Sequence, residues 1–313
     1  MATYGNSSII DDVSDKFQNG NIVIKFILIN IAAFLAVRLL HLVIFLTTGI
    51  TWEVFENDYV TWLMMPSNFK DFLWQPWTIL TYMFLQTDFL HILFNMIILY
   101  VFGDLLIKFL NDREVFPIYI LGGIAGALLY VIMFNFSPAF QAISGTHMLG
   151  ASAAVMAVML AMCTLNSNYE VFILFGVVQI KYIAAAFILM DLLTIPHDNP
   201  GGHIAHIGGA LFGYVYIKQL QQGNNLGAGL NRLVDFLVTV FKPGPSKPKV
   251  AYRNEKKQAE YRAANSGRVN KPKSMDTEKQ AKIDAILDKI SASGYNSLSK
   301  EERDFLFKTK DDQ

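Results

Sequence analysis

The chain has 313 residues, of which 53% are hydrophobic and 17% are charged. A typical soluble domain carries about 25% charged residues, so this composition favours a membrane protein. Basic and acidic side chains number 26 each, but residues 1–217 hold 7 basic and 14 acidic ones, and residues 218–313 hold 19 and 12. Acidic residues are interspersed through the basic part and it contains no recognisable nucleic-acid-binding module, so we expect no nucleic-acid partner.

The N-terminal residues predict a retained membrane anchor and not a cleaved signal peptide. Residues 1–21 are polar and acidic, which predicts a solvated, disordered lead. The apolar run that follows is long and has no small-residue cleavage site after it. Cys163 is the single cysteine, so the chain cannot form an intramolecular disulfide.

Six apolar segments predict an all-α membrane protein, a bundle of six transmembrane helices within residues 22–220. The fourth segment is shorter than the roughly 20 residues that a bilayer requires. It can begin below the membrane surface only if the loop before it lies in protein or in a water-filled cavity. The fifth could begin at Val171, but we favour Lys181, because this charge then lies at the inner face. The approximate limits are 22–46, 89–110, 115–136, 150–165, 181–195 and 203–220.

The distribution of Lys and Arg predicts that both termini are cytoplasmic. These residues concentrate on the cytoplasmic side of membrane proteins, and the basic C-terminal part follows the last apolar segment. Six spans return the chain to the side on which it starts. Arg38 and His41 interrupt the far end of the first span, and we favour side chains that reach the outer interface over a buried functional charge.

The connection between the first two spans, residues 47–88, is rich in aromatic residues and contains a single Lys and no Arg. It is too polar to span a membrane and too aromatic for an ordinary loop. Because Trp and Tyr collect at the membrane interface, we predict a partly helical segment that lies there.

Residues 221–313 form a separate appendage. Residues 221–250 predict an interfacial helix, at about Leu230–Phe241, and a Pro-rich linker. Residues 251–313 predict a basic, helical, cytoplasmic tail, a candidate docking module for a cytoplasmic partner. Two patterns support helices there, an apolar spacing and a capping box: Ile283, Ile286, Leu287 and Ile290, then Ser299-x-x-Glu302.

Three of the apolar segments carry polar side chains that could act together. Ser152 begins a run rich in Gly and Ala, and such small residues let membrane helices approach closely. The others are His206, in the sixth span, and His91 with Asn95, one turn apart in the second. Taken singly, the serine could be a cap or packing residue, the histidine a packing or pathway residue, and the His91–Asn95 pair an interhelical hydrogen bond.

Together these residues form a reaction set for acyl transfer. Ser152 at a helix N-terminus is a candidate nucleophile, and His206 is its candidate base. His91, Asn95 and the backbone N–H groups of Ala151 and Ser152 are candidate oxyanion donors, each worth about 2.7–4 kcal/mol where one has been removed. No acidic residue is obviously placed to orient His206, so the sequence predicts a Ser–His dyad and not a triad.

The motifs over residues 22–220 resemble those of the rhomboid family of intramembrane serine proteases. They follow in the family's order: Pro76-Trp77-x-x-x-Thr81, His91-x-x-x-Asn95, Phe102-Gly103, Gly150-Ala151-Ser152-Ala153 and Ala205-His206-x-Gly208-Gly209. The resemblance implies a rhomboid protease domain that cleaves transmembrane segments of single-span membrane proteins near the outer face of the bilayer, without metal or cofactor. It also implies that residues 47–88 are the lateral interfacial loop and that residues 194–202 cap the site. The bacterial inner or plasma membrane is the expected location.

The chain departs from the family pattern at three places. Ala153 replaces the Gly that most often follows the nucleophile, and this small side chain should still pack. Ile107 replaces a Glu that commonly follows Phe-Gly by four residues, which removes a hydrogen bond, and we expect stability to be affected more than chemistry. The Trp-Arg pair that is common in the interfacial loop is absent.

The sequence also allows three functions other than a serine protease, and we disfavour each of them. A non-catalytic rhomboid-like binder of client helices is disfavoured because it need not keep both Ser152 and His206. A small transporter is disfavoured because no inverted repeat or pair of broken helices is apparent. A metalloprotease built on His203-x-x-His206 with His197 and Asp198 is disfavoured because no His-Glu-x-x-His motif and no clear third ligand are present.

Overall fold

A computed structural model describes residues 8–143, 145–173, 176–241, 282, 284–290, 298–302 and 304–305. The chain divides into two compact units, Met1–Lys242 and Pro243–Gln313. The helices of the first unit are α1 (Ile9–Asn19), α2 (Ile22–Thr48), α3 (Trp52–Asp58), α4 (Phe69–Trp74), α5 (Thr78–Thr81), α6 (Phe89–Phe109), α7 (Asp112–Phe136), α8 (Ser152–Leu165), α9 (Ile180–Thr194), α10 (Pro200–Gln221) and α11 (Ala228–Phe241).

All six predicted apolar helices are present, as α2, α6, α7, α8, α9 and α10. Within the described residues, α2, α6 and α7 are long and apolar enough to cross a membrane by length and composition. Helix α8 has 14 residues and α9 has 15, so each is short for a span. The fifth helix begins at Ile180, as the preferred alternative predicted, and not at Val171.

The chain is mostly helical but not all-α, because it contains two short antiparallel sheets. Strands β1 (Met65–Pro66) and β2 (His147–Met148) pair with each other, and so do β3 (Glu170–Ile173) and β4 (Gly176–Gln179). The apolar run that precedes α9 is therefore a hairpin, which periodicity could not distinguish from a short helix.

The prediction of a disordered N-terminal lead is wrong for residues 9–19, which form α1. A capping box begins this helix: the Asp11 backbone N–H donates to the Ser8 hydroxyl at 3.1 Å, and the Ser8 backbone N–H donates to the Asp11 carboxylate at 3.0 Å. These bonds satisfy two N–H groups that a helix end otherwise leaves free. The Ser8 hydroxyl, which donates to the Asp11 carboxylate at 2.8 Å, and the Ser8 backbone N–H lower the pKa of Asp11.

Helix α8 forms the centre of the bundle and packs between α6, α7 and α10. It approaches α10 so closely that a Cβ atom at Gly209 would lie 2.0 Å from the Ala153 carbonyl oxygen, and one at Gly213 would lie 2.1 Å from that of Ala157. On the α7 side, a Cβ at Gly126 would lie 2.7 Å from the Ala153 Cβ. Ala153 is buried and packs against this glycine, as predicted. The predicted small-residue contacts therefore hold α8 in place.

Residues 47–88 are partly helical, as predicted, with α3, α4, α5 and two 3₁₀ turns. Several of their aromatic side chains are exposed, Trp62 and Trp74 among them. The Arg38 guanidinium donates to the Thr87 carbonyl oxygen and lies 4.1 Å from the centre of the Trp52 ring, so it binds groups of this segment, and its place at the outer interface stays a prediction. Arg38 thus joins α2 to this segment.

Among its described residues, the appendage contains helical segments. Helix α11 covers the predicted short apolar helix, and the linker at 242–249 lies outside the described residues. In the second unit, residues 284–290 are helical, and the capping box is confirmed: the Glu302 N–H donates to the Ser299 hydroxyl at 3.2 Å, and the Ser299 N–H donates to the Glu302 carboxylate at 2.7 Å. That backbone N–H and Lys289 lower the pKa of Glu302.

Candidate functional site

A cavity of about 210 Å³ lies where the N-terminal parts of α6, α8 and α10 meet the chain before α8. It contains polar groups from each of these segments. The residues that line it are Tyr82, His91, His147, Met148, Leu149, Gly150, Ser152, Ala153, Asn199, Gly202, Ala205 and His206. Ser152, His206 and His91, three of the side chains that the sequence singled out, therefore share one cavity.

Ser152 is the first residue of α8, and the backbone before it is fixed by its contacts. Gly150 has φ +126°, a backbone conformation that residues other than glycine rarely adopt. Its N–H donates to the Tyr82 carbonyl oxygen at 3.0 Å. Ala151, the N-cap residue, makes no side-chain cap hydrogen bond. The first N–H groups of α8 are thus left without a side-chain cap at the cavity, where they can meet a negative charge.

His206 lies on α10, and an acidic residue of α9 orients it. Its Nδ1 lies 2.9 Å from the Asp191 Oδ1 atom, and Nδ1 of His203 lies 2.7 Å from the same oxygen. An ionised carboxylate only accepts hydrogen bonds, so Nδ1 of His206 carries the proton and Nε2 is left as an acceptor. This arrangement corrects the prediction that no acidic residue orients His206.

Asp191 could have been found from the sequence. It is the only acidic residue in the apolar segment Ile180–Thr194, and a charge inside a membrane segment usually marks a functional site. The sequence separates it from His206 by 15 residues and a loop, so its partner was not evident. Only 5% of its surface is exposed.

The structure separates the two predicted oxyanion side chains. His91 lines the cavity next to Ser152: a Cβ atom at Gly150 would lie 3.0 Å from the His91 Cε1 atom and 3.6 Å from the Ser152 Oγ atom. Asn95, one turn further along α6, is buried and does not line the cavity. Its Nδ2 donates to Gln86 Oε1 at 3.0 Å, so at least one of its N–H groups is engaged.

A buried hydrogen-bond chain continues from Asn95 towards α2. Gln86 Nε2 donates to Asn30 Oδ1 at 3.2 Å, and Asn30 Nδ2 donates to the Tyr119 hydroxyl at 3.1 Å. Because buried polar groups are costly when unpaired, this chain fixes the Asn95 amide and connects three helices.

Two further residues of the cavity wall were not given a role by the sequence. Tyr82 donates its hydroxyl hydrogen to the Gly123 carbonyl oxygen at 2.7 Å, so this group is already engaged. His147, in the strand before α8, is partly withdrawn from water, which lowers its pKa. The lower pKa favours the neutral form of its imidazole.

Ser152 and His206 share the cavity without a direct bond between them. Within the part of the chain that the structure describes, no hydrogen bond joins the Ser152 hydroxyl to His206. Bonds of this kind are often long in the absence of substrate and tighten in the substrate complex. In the loop before α10, Asn199 caps the helix by accepting from the Gly202 N–H at 3.1 Å, and both residues line the cavity.

Comparisons with known proteins find a family model that matches the part of the chain that forms this cavity. The Rhomboid domain model matches residues 73–222, the range that contains every residue of the cavity wall. Residues 268–308 match a family of unknown function, DUF6576.

A relative with a curated name supports the first match. The chain is 28% identical over 187 residues to "RHOMBOID-like protein 12, mitochondrial" of Arabidopsis thaliana. The aligned region covers 56% of this chain and 55% of the relative, so the chain matches about half the length of that protein. With its apolar helices, the matched domain makes this an integral membrane protein, and the chain contains a Rhomboid domain at residues 73–222.

Proposed function

We propose that this protein is an intramembrane serine endopeptidase that uses Ser152 as nucleophile and His206 as general base and then general acid. The observation that carries the proposal is the position of the two side chains in one cavity, with the Nδ1 atom of His206 held by Asp191. In this tautomer Nε2 can accept the proton of the Ser152 hydroxyl as it attacks a peptide carbonyl. Asp191 acts as a positioning residue that also stabilises the imidazolium.

The oxyanion of the tetrahedral intermediate would be stabilised from two sides. His91 and the backbone N–H groups of Ala151 and Ser152 are adjacent to the nucleophile, at the positive end of the α8 dipole. Asn95 has a second amide N–H beyond the one that it gives to Gln86, and we retain it as a donor. Together these donors would stabilise the transition state more than the ground state.

The substrates that we propose are single-span membrane proteins, cut near the outer end of the span. Residues 47–88 carry exposed aromatic side chains and would lie in the outer interface as the lateral loop, with residues 194–202 as the cap. All six apolar helices would span the membrane, and both termini would be cytoplasmic. The proposed location is the bacterial inner or plasma membrane.

The proposed domain organisation follows from the same argument. Residues 22–220 would form the protease domain, residues 221–250 an interfacial helix and linker, and residues 251–313 a cytoplasmic tail. The tail would bind a cytoplasmic partner, and its match to a separate family model is consistent with a module of its own.

A covalent serine-directed fluorophosphonate probe tests the chemistry directly. The full chain in detergent should be labelled, and Ser152→Ala and His206→Ala should each abolish labelling. Ser137→Ala is the matched control, because this serine lies outside the cavity wall. Equal labelling of all four proteins would remove the protease proposal and favour a rhomboid-like protein that binds client helices without cutting them.

Substrates can be sought with the same variants. Co-expression of either the wild type or Ser152→Ala with a reporter that carries a single span should release the reporter's outer domain only with the wild type. Proteomics of shed ectodomains would then identify natural substrates.

A further inference from the structure

Asp191, His203 and His206 form a cluster of potential metal ligands beside the cavity. One ligand atom from each residue can be chosen so that all three lie within 4.8 Å of one another. His203 and His206 are three residues apart on α10, so both face α9. Asp191 is one turn from the C-terminal end of α9, so the cluster lies just below the loop that joins the two helices.

One atom of this cluster has no partner among the described residues. There, the Asp191 Oδ2 atom is buried and accepts no hydrogen bond, while its Oδ1 atom accepts two. A buried, unpaired carboxylate oxygen is costly, and a cation that it could bind would remove that cost. The orphaned oxygen is thus an independent sign that the cluster accommodates a ligand.

We propose that these three residues bind one Zn²⁺ ion and that the bound ion inhibits the enzyme. Two imidazole nitrogens and a carboxylate oxygen are a common protein ligand set for zinc, with water in the fourth position. The ligand atoms of a tetrahedral zinc site lie about 3.4 Å apart, so small side-chain rotations would bring these atoms together. The sequence offers no clear third ligand for His203 and His206. In the structure, Asp191 supplies one.

Inhibition follows from the chemistry of the His206 ring. Zinc bound at Nδ1 replaces the hydrogen bond to Asp191, and the neutral ring then carries its single proton on Nε2. Nε2 can no longer accept the proton of the Ser152 hydroxyl, so the nucleophile is not activated. No group is oxidised or reduced, and chelation of the metal reverses the change. This step rests on the proposed function, whereas the binding of the ion does not.

Binding is tested on the inactive Ser152→Ala variant of the full chain in detergent, with Co²⁺ as a spectroscopic substitute for Zn²⁺. We expect one Co²⁺ per chain, with visible absorption typical of low coordination number, and displacement by Zn²⁺. His203→Gln should weaken Co²⁺ binding by about 10- to 100-fold. Loss of a group that only hydrogen-bonds to a zinc ligand already lowers metal affinity by this factor. His197→Gln is the matched control, because this exposed histidine lies in the adjacent loop, and it should bind as the parent does.

Inhibition is tested by fluorophosphonate labelling of the wild type with added Zn²⁺. Labelling should slow at least tenfold and recover with EDTA. Relative to its own metal-free rate, His203→Gln should require about 10- to 100-fold more Zn²⁺ than the wild type for the same fractional inhibition. Identical Co²⁺ binding by the parent and His203→Gln would overturn the site, whatever the outcome for catalysis. Normal Co²⁺ binding without any labelling of the wild type would instead reject the protease proposal and leave the metal site standing.

Discussion

Replacement of Gly209 by Ala should slow catalysis by pushing α10 away from α8. The new Cβ atom would lie 2.0 Å from the Ala153 carbonyl oxygen, and real Cβ contacts below 3.0 Å are essentially never seen. The two helices must therefore separate by about 1 Å or more at this level. Ser152 precedes Ala153 directly, and His206 is one turn before Gly209, so the same displacement separates Ser152 from His206, the proposed nucleophile and base. A misplacement of about 1 Å can cost about 100-fold in rate, or about 2.7 kcal/mol.

Gly213→Ala is a matched control for this prediction. Its Cβ atom would lie 2.1 Å from the Ala157 carbonyl oxygen, an equal overlap between the same helices one turn further from the site. Both variants should lose about 1–3 kcal/mol of stability from overpacking, measured by thermal unfolding in detergent. Gly229→Ala, with no heavy atom within 4 Å, should leave labelling unchanged.

The assay is the rate constant for fluorophosphonate labelling at a temperature where all variants remain folded. Gly209→Ala should be slowed about 100-fold, and Gly213→Ala should be slowed less although it unfolds at a similar temperature. A wild-type rate for Gly209→Ala, or equal slowing of the two variants, would refute the argument that this contact sets the distance between Ser152 and His206.

Three further substitutions test other contacts. Asp191→Ala should lower kcat/KM for a reporter substrate by about 10- to 100-fold, because a charge-assisted hydrogen bond to His206 is worth about 1.5–3 kcal/mol. Unchanged turnover would show that Asp191 does not position His206. Asn95→Ala should lower kcat by about 100- to 1,000-fold if its amide reaches the oxyanion, and a loss of stability alone in thermal unfolding would show that the residue is structural. Tyr216→Phe should keep its activity but lose about 1.5–3 kcal/mol of stability, because the Tyr216 hydroxyl donates to the Glu114 carboxylate at 2.6 Å in the wild type. An unchanged melting temperature would contradict this prediction.

The sequence predicted the helices and the close helix contacts well because both depend on local composition. Long apolar runs determine where α2, α6 and α7 lie, and small residues at helical spacing identified the contact surfaces of α8 and α10. The hairpin at 170–179 was less accessible, because a short apolar run fits a strand, an interfacial segment or a helix equally well.

The residues that the sequence could not place owe their positions to tertiary contacts. Arg38 binds a carbonyl group 49 residues away, and Asp191 reaches His206 across a helix–helix contact. In both cases the residue type was a signal, since a charge in an apolar segment needs a partner. How the helices pack against one another decides which partner each charge finds. The spacing of residues along the sequence does not reveal this packing.

The pairing of β1 with β2 has a mechanical consequence. Met65 faces Met148 across this pair, and Ser67, two residues further along the chain, donates its N–H to the Thr146 carbonyl oxygen at 2.9 Å. These contacts join residues 65–67, in the aromatic segment between α2 and α6, to the peptide that leads into Ser152. For the proposed entry of a substrate from the side, an outward displacement of residues 65–67 would also displace this peptide, so we expect entry to involve other parts of residues 47–88.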